Sequence, residues 1–191
     1  MVAYTACSPS CAEYSKLKLK PGGPPALSSP EHLAGLPGLS AEQMSRVQDS
    51  YIMLYRCTQL LQSTYAAGGC GHLEQPPTAM SWEEDCTQQW IQGAACCCVH
   101  LAACHFDKNW NKAWLFATSF PPLQVLGCVC EHDRNSHENI MGKKDASGRY
   151  ISRLTAESPV KLAESFANIV ATLIVQTTQI FPFPKHWNYF Q

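Results

Sequence analysis

A cysteine and a carboxylate, each following a short apolar run, are the side chains of this chain best suited to chemistry. Cys11 ends a Pro-Ser-Cys sequence shortly after the apolar run 2–6, and Glu74 opens a Glu-Gln-Pro sequence directly after the run 70–73. A cysteine thiolate is a nucleophile. Burial at the end of a strand would raise the pKa of Glu74 and keep it available as a proton donor. Together the two groups could attack and protonate a heteroaromatic ring.

The surroundings of Cys11 favour a reactive thiol. Lys16, Lys18 and Lys20 alternate with leucines a few residues further on, so an extended segment would place their ammonium groups on one side. Their positive charge is expected to lower the pKa of Cys11. These lysines would either contact phosphate groups or form a solvated edge, and Cys7 is the alternative nucleophile in the same segment.

A second candidate site combines thiol and imidazole groups in the C-terminal half. Its four members follow the spacing C-x-C-x-H-x4-H: Cys128, Cys130, His132 and His137. Structural zinc sites use four ligands of these types. Cys104 and His105 are further residues that could lie nearby. The alternative is a loop whose histidines face solvent or carboxylates.

Size and composition indicate one globular domain. The chain has 191 residues, 46% of them hydrophobic and 15% charged, which is enough for a real core. A net charge of −1 gives no bulk electrostatic argument for or against nucleic acid. No apolar run reaches the roughly 18 residues of a membrane span. Eleven cysteines, three of them consecutive, indicate a reducing intracellular compartment, the nucleus included, in which cysteines act as small core residues.

Strands and helices alternate along the chain, which predicts an α/β fold. Strands are expected at 1–6, 70–74, 94–103, 113–118 and 149–152, and helical segments at 40–67, 78–92, 121–126 and from 155 onward. The third and fourth strands are expected to pair as a hairpin. We predict one domain over residues 1–176, with a long Pro/Gly-rich loop at 7–39, and an aromatic C-terminal tail at 177–191.

The first helix has the clearest local signals. Ser40 and Gln43 match a capping box, and the glycine pair at 68–69 is typical of a helix end. Apolar residues at helical spacing predict one buried stripe. Its members are Met44, Val47, Tyr51, Leu54, Tyr55, Thr58 and Leu61.

The two strand-end motifs together resemble those of the cytosine-C5 DNA methyltransferases. The Pro-Ser-Cys sequence, with the residues up to Ser15, resembles the family's Pro-Cys nucleophile loop. The Glu-Gln-Pro sequence resembles its Glu-Asn-Val or Glu-Asn-Pro motif. The segments 113–120, 128–137 and 152–159 resemble, in the same order, parts of a divergent branch found in phages and in retroelement-rich protist genomes. The resemblance spans roughly residues 4–175.

This resemblance implies a fold, a reaction and a partner. The fold would be a partial Rossmann-type methyltransferase-like sheet with flanking helices, and the partner would be DNA. Cys11 would add to C6 of a cytosine flipped out of the duplex. Glu74 would hold and protonate N3, and C5 would take a methyl group from S-adenosylmethionine. Candidate phosphate contacts are the lysines of the loop and of the hairpin turn: Lys16, Lys18, Lys20, Lys108 and Lys112.

The chain departs from the family in its cofactor-binding part. The family holds S-adenosylmethionine on an N-terminal strand followed by a Phe-x-Gly-x-Gly turn, a pattern that this sequence lacks, so its cofactor-binding residues are unknown. Gln75 also replaces the family's asparagine. We therefore expect the catalytic part of a methyltransferase, inactive alone, that another chain or an upstream segment would complete. The alternative is a non-catalytic binding or interaction protein or a retroelement remnant, with or without zinc.

Overall fold

A computed structural model describes residues 3–20, 24–133, 136–138, 143–149 and 158–180, without the side chains at 173–174 and 176–180. Its strands and helices are β1 (Tyr4–Cys7), α1 (Ala41–Ala66), β2 (Cys70–Gln75), α2 (Asp85–Gly93), β3 (Cys97–Ala102), β4 (Ala113–Thr118) and α3 (Val160–Ile180). Short 3-10 helices lie at Lys16–Leu19, Met80–Glu83, Ala103–Phe106 and Pro121–Leu126. The predicted α/β class is confirmed. No helix in the described residues is long and apolar enough to cross a membrane.

The described strands form a four-stranded sheet in the order β1-β2-β4-β3. β1 and β2 are parallel, with Tyr4 opposite Cys70, whereas β4 is antiparallel to both of its neighbours. The predicted hairpin of β3 and β4 is confirmed, with Cys98 opposite Ala117. β1, β2 and β3 therefore terminate at the end of the sheet where β4 begins, and we call this the upper end. Residues that are far apart in sequence can lie together there.

α1 lies between β1 and β2 in the chain and has the predicted boundaries. The Ser40 hydroxyl accepts a hydrogen bond from the Gln43 backbone, and the Gln43 side chain accepts one from the Ser40 backbone, which completes the capping box. Gly68, just after the helix, has a φ of +78°, a conformation that glycine adopts without strain. A Cβ on Gly69 would come 2.6 Å from the carbonyl oxygen of Ala3. The helix end is thus packed directly against the start of β1.

The buried stripe of α1 is narrower than predicted. Val47, Leu54 and Leu61 are buried, and the last two join the core cluster between α1, α2 and the sheet. Tyr51 and Tyr55 are 41% and 44% exposed, and their rings stack on each other with centroids 6.1 Å apart. Thr58 is also buried, so the buried residues follow helical spacing along a narrow strip that faces the core, and the tyrosines lie beside it.

Two apolar clusters pack against the sheet. One contains Leu73 and Trp90 and lies beneath α1 and α2. The other contains Phe116 and Leu162 and lies beneath α3. Neighbouring residues of a strand point to opposite faces. Glu74 follows Leu73 and is paired across the strands with Phe116, so its side chain lies on the α3 face at the upper end.

The lysine-rich loop and the second helix differ from the predictions. Lys16–Leu19 is a 3-10 helix rather than an extended segment, so its lysines do not lie along one side of a strand. The second helix begins at Asp85 instead of residue 78, because Met80–Glu83 first forms a separate 3-10 helix and Glu84 is extended.

Some predictions concern residues outside the described part. Most of the strand predicted at 149–152 and the helix start predicted at residue 155 fall within 150–157, which is not described. α3 continues to Ile180, past the domain boundary predicted at residue 176. The remainder of the predicted tail, residues 181–191, also lies outside the described residues.

Candidate functional site

Several chain segments converge at the upper end of the sheet. Cys11 lies in the loop after β1, Glu74 is the penultimate residue of β2, and Lys112 directly precedes β4. Cys104 lies in the 3-10 helix after β3. The charges of Glu74 and Lys112 both act on the thiol of Cys11. The structure therefore brings together the thiol and the carboxylate that the sequence singles out, and it adds a cation to them.

Glu74 is half-buried and hydrogen-bonded to the segment that precedes Cys11. The Ser8 hydroxyl donates to Oε2 of Glu74. Burial raises the pKa of Glu74, while the Ser8 hydrogen bond and the positive charge of Lys112 act in the opposite direction. The predicted direction of this pKa shift is confirmed. A raised pKa suits a proton donor, because more of the carboxyl group stays protonated near neutral pH.

The thiol of Cys11 does not have the lowered pKa that the sequence predicts. Burial raises the pKa of Cys11 most strongly, and the neighbouring charge of Glu74 raises it further. Lys112 and Lys18 lower it by less. The prediction is wrong because it counted nearby lysines and not the loss of water around the thiol, which disfavours the thiolate.

Two of the loop lysines bind carboxylates within the chain. Nζ of Lys18 lies 2.6 Å from Oε2 of Glu13, and Nη2 of Arg46 lies 2.6 Å from the other carboxylate oxygen. Nζ of Lys16 lies 2.9 Å from Oε1 of Glu83. These ion pairs fix the loop to α1 and to the segment before α2, which is an intramolecular role that the sequence did not indicate.

The two lysines of the hairpin turn lie over aromatic rings. Nζ of Lys108 is 5.2 Å from the centroid of Trp110, and Nζ of Lys112 is 4.9 Å from that of Trp114. Burial lowers the pKa of Lys112, although Glu74 and Cys11 act to raise it. Lys20 is exposed. Contacts of the five candidate lysines with DNA stay a prediction.

Gln75 anchors the loop that carries Cys11. Its side chain is 1% exposed, its Nε2 donates to the carbonyl oxygen of Pro9 at 2.6 Å, and its Oε1 accepts from the Ser81 hydroxyl at 3.1 Å. An asparagine, which is one methylene shorter, could not span the same two partners from this backbone position. The residue that departs from the family motif is therefore a structural link between β2, the Cys11 loop and the segment before α2.

Cys7, the alternative nucleophile, belongs to the core. Its side chain is 6% exposed, and its thiol donates to the carbonyl oxygen of Cys57 at 3.8 Å. A hydrogen bond with the Cys57 side chain, followed by burial, raises the pKa of Cys7 well above its usual range. The same hydrogen bond lowers the pKa of Cys57 to about 7. Cys11 is thus the better placed of the two candidate nucleophiles.

Two cysteines and two histidines form a compact group beside the β3–β4 connection, which we call the metal cluster. Its members are Cys104, Cys130, His132 and His137, and their ligand atoms all lie within 4.8 Å of one another. Sγ of Cys130 lies 3.6 Å from Nδ1 of His132 and 3.4 Å from Nε2 of His137. These four residues lie close enough to bind one metal ion, and three of them are ligands that the sequence predicts.

The structure groups Cys104, and not the predicted Cys128, with the other three candidate ligands, and metal binding by Cys128 stays a prediction. The Cys128 backbone N–H donates to the carbonyl oxygen of His100 at 2.8 Å, and its Sγ accepts from the backbone N–H of Ala102 at 3.3 Å. Both contacts hold the residue against β3, where it lines the same cavity as Cys104, Cys130 and His137. Cys104, in the 3-10 helix after β3, is the cysteine grouped with the other three residues, and the adjacent His105 is outside the cluster.

The metal cluster is partly open to solvent. Cys130 and His132 are exposed, and Cys104 and His137 are half-buried. The backbone N–H of Glu138 donates to the carbonyl oxygen of Asn109 at 2.7 Å. This bond joins the loop that carries the histidines to the hairpin turn.

Two residues have roles at the upper end that the sequence did not reveal. Ser8 binds Glu74, and Lys112 acts on the thiol and the carboxylate rather than standing apart as a surface lysine. Cys104, which the sequence indicates only as a residue that could lie near the metal site, is a member of the metal cluster. The signal for Lys112 is the antiparallel register of β2 and β4. Such a register is set by tertiary pairing and is not visible in the local sequence.

Comparisons of this chain with protein-family models, with curated proteins and with solved structures give no match. The two groups of side chains at the upper end are therefore the basis on which a function can be assigned.

Proposed function

We propose that this chain is a zinc-binding α/β domain in which the metal cluster holds one structural zinc ion. The observation that carries the proposal is the mutual approach of its four ligand atoms within 4.8 Å. Two thiolates and two imidazoles are a set typical of tetrahedral structural zinc. Four protein ligands leave no open position on the ion, so its role is structural rather than catalytic.

A zinc ion in the metal cluster would connect two segments that are distant in sequence. Cys104 belongs to the β3–β4 connection, and the other ligands belong to the loop after the 3-10 helix Pro121–Leu126. Two of the four ligands are exposed and the other two are only half-buried, so apolar burial does little to hold them together. Metal binding would supply the missing free energy, as it does in small metal-dependent domains. In this proposal the chain is a binding or interaction domain.

Metal analysis of the purified chain tests the zinc proposal. We expect about one zinc ion per chain, and we expect cobalt(II) to replace it with the visible absorption of tetrahedral thiolate-bound cobalt. Cys130→Ser should lose the ion. Cys128→Ser is the matched control, because its sulfur contacts β3, and it should keep the ion. Wild-type protein without zinc, or equal metal content in the two variants, would contradict the proposal.

A second function is favoured by the meeting of Cys11, Glu74 and Lys112. We propose that this group is the catalytic part of a DNA cytosine-C5 methyltransferase-like domain built on a partial Rossmann-type sheet. β1 and β2 are parallel neighbours, so the two motifs that follow them emerge side by side. The raised pKa of Glu74 suits a group that protonates a ring nitrogen.

The reaction assigned to this chain is the addition step. Cys11 attacks as the thiolate, so its S–H proton is first lost to water. The sulfur of Cys11 bonds to C6 of cytosine, and the C5–C6 π electrons move into the C4–C5 bond. The C4–N3 π electrons move onto N3, which takes the proton of Glu74. The resulting enamine is nucleophilic at C5, where S-adenosylmethionine would supply a methyl group.

Methyl transfer by this chain alone is not part of the proposal. In the described residues, the glycine pair at 68–69 follows a helix and precedes a strand, which is the reverse of the family's cofactor turn. Another chain or an upstream segment would hold the cofactor.

Hydrogen exchange at C5 tests the addition step without any methyl donor. An oligonucleotide incubated with the protein in D2O should gain deuterium at C5 of cytosine, because the enamine can take a deuteron there before Cys11 leaves. Cys11→Ser should abolish the exchange. Cys98→Ser removes an exposed thiol of β3 and should leave the exchange intact. If wild-type protein fails to exchange C5 at any pH between about 7 and 9, the catalytic proposal is wrong.

A further inference from the structure

Lys112 lies between the two candidate sites. Its side chain is half-buried and its charge acts on both Cys11 and Glu74. Nζ lies 4.9 Å from the ring centroid of Trp114, which is itself buried. A half-buried ammonium group is costly unless an anion compensates it. The ring and the carboxylate therefore give this side chain a defined place at the upper end.

The backbone of Lys112 is attached to the metal cluster. Its carbonyl oxygen accepts a hydrogen bond of 2.9 Å from the N–H of Ala103, the residue directly before the ligand Cys104. Its own N–H donates to the carbonyl oxygen of Trp110 at 2.9 Å. A small cavity of about 100 Å³ is lined by Lys112 together with three cluster residues, Cys104, Cys130 and His137. A displacement of the cluster residues would therefore displace Lys112, because the hydrogen bond from Ala103 and the shared cavity connect them.

We propose that Lys112 is a positioning residue for the Cys11–Glu74 pair, and that metal binding at the cluster holds it in place. The inference rests on the zinc ion of the proposed function. A tetrahedral ion bound through Cys104 fixes the 3-10 helix Ala103–Phe106 and, through Ala103, the start of β4. Without the ion, the ligands would separate and the lysine would lose its fixed position relative to the Cys11 thiol.

The rate at which Cys11 reacts with iodoacetamide, resolved by peptide mass spectrometry across pH, measures this link. The charged groups that act on the Cys11 thiol are Glu74, Lys112 and Lys18. Lys112→Gln should raise the apparent pKa of Cys11 and slow its alkylation near pH 8 about three- to tenfold, because a smaller fraction of the thiol is then ionised. Lys112→Arg should restore most of the rate. Lys108→Gln, in the same turn, is the matched control and should change little.

Chelation supplies the second arm of the experiment. Removing zinc from wild-type protein should shift the Cys11 profile in the same direction as Lys112→Gln, and chelation of the Lys112→Gln variant should add little. Alkylation of Cys7, which is 6% exposed in the α1 core, should stay slow and thereby show that the protein has not unfolded globally.

The outcomes separate this inference from the zinc proposal. Zinc that binds and is removed without any change in the Cys11 profile overturns the coupling and leaves the metal site intact. An unchanged profile in Lys112→Gln overturns the role of the lysine, whatever the metal content. A chain that binds no metal overturns the zinc proposal and the coupling together, while the comparison of Gln with Arg at residue 112 still decides the positioning role.

Discussion

The two groups of side chains at the upper end are held in place in opposite ways. The Cys11 loop is attached to the domain by the buried amide of Gln75 and by the buried carboxylate of Glu13, both of which bind two partners. In the metal cluster, Cys130 and His132 are exposed, and Cys104 and His137 are half-buried. The first group is organised by the folded core, whereas in our proposal the second depends on a bound zinc ion. Substitutions in the core should therefore affect mainly the Cys11 loop, and removal of the metal should affect mainly the metal cluster.

Removal of the metal should have the largest effect, and the effect should be local. Zinc held about a thousandfold above its dissociation constant stabilises the folded state by about 4 kcal/mol. Chelation should therefore speed hydrogen exchange in 103–109 and 128–133 by several orders of magnitude. The amides of α1 should change little, because its packing does not involve the ligands. Hydrogen exchange followed by mass spectrometry provides the measurement.

Cys130→Ser and Cys128→Ser form the matched pair for this prediction. The first should reproduce the effect of chelation, and the second should remain sensitive to chelation like the wild type. If chelation speeds amide hydrogen exchange equally in α1 and in the cluster segments, the metal does not act locally and this prediction is wrong.

Loss of the Gln75 amide should have the next largest effect, and it should fall on the Cys11 loop. Gln75→Ala leaves the carbonyl of Pro9 and the hydroxyl of Ser81 without this partner. The cost in the free energy of unfolding should be about 2–3 kcal/mol, as for other buried polar groups that lose a partner. Urea unfolding of metal-free protein gives the value directly.

Gln59→Ala, on the exposed side of α1, is the control for Gln75→Ala and should stay within about 0.5 kcal/mol of the wild type. Zinc affinity of Gln75→Ala should be unchanged. A weakened zinc site in this variant would argue that the core organises both groups.

The contrast between the two groups also explains which features the sequence could predict. The capping box of Ser40 and the glycines after α1 are local signals, so the boundaries of this helix were correct. The hairpin of β3 and β4 was also correct, because two apolar runs flank a short polar turn. The pairing of Cys11 with Glu74 was foreseen from their strand-end positions, but the contribution of Lys112 depends on the register of β2 and β4.

The errors have physical causes that spacing does not encode. Cys128 belongs to the C-x-C pair, yet its backbone and sulfur contact β3. Cys104, in the β3–β4 connection, is the cysteine that lies within 4.8 Å of the other three candidate ligands. The pKa of Cys11 follows burial more than the lysines near it in sequence. The sequence predicts that the lysines lie in an extended segment. In the structure, Lys18 forms an ion pair with the buried Glu13, and the segment is a 3-10 helix.

The ion pairs of Glu13 should make the stability of the core-held loop depend on pH. Burial acts to raise the pKa of Glu13, but hydrogen bonds from Lys18 and Arg46 outweigh it and lower the pKa below its usual value. The stabilisation is therefore complete above the unfolded pKa of about 4.3 and is lost as the pH falls through the lower folded value. We expect a loss of roughly 1 kcal/mol, since Arg46 is largely exposed and its interaction is screened.

Urea unfolding of metal-free protein between pH 7 and pH 3 checks this prediction, because the absence of metal excludes proton competition at the histidine ligands. Glu13→Gln should lose less stability over this range than the wild type. Glu42→Gln, in the exposed first turn of α1, should follow the wild type. If Glu13→Gln and the wild type lose the same stability between pH 7 and pH 3, the Glu13 ion pairs do not stabilise the loop.

DNA binding should show the smallest effect and sharpen the contrast between the lysines. Lys16 is paired with Glu83, whereas Lys108 lies in the exposed turn over Trp110. If the upper end contacts DNA phosphates, Lys108→Ala should weaken binding similarly for all sequences and reduce the salt slope by about 1. Lys16→Ala should change the slope by less. If the salt slope of DNA binding is the same for both variants and the wild type, the upper end does not contact the DNA phosphates.

X-ray absorption at the zinc edge of the metal-loaded protein tests the central claim most directly. The account predicts four ligands, two sulfurs at about 2.3 Å and two imidazole nitrogens at about 2.0 Å, with an identical spectrum for Cys128→Ser. A spectrum with three sulfur ligands, or one that changes when Cys128 is replaced, would show that Cys128 also binds the ion. A shell of oxygen and nitrogen without sulfur would contradict the metal cluster altogether.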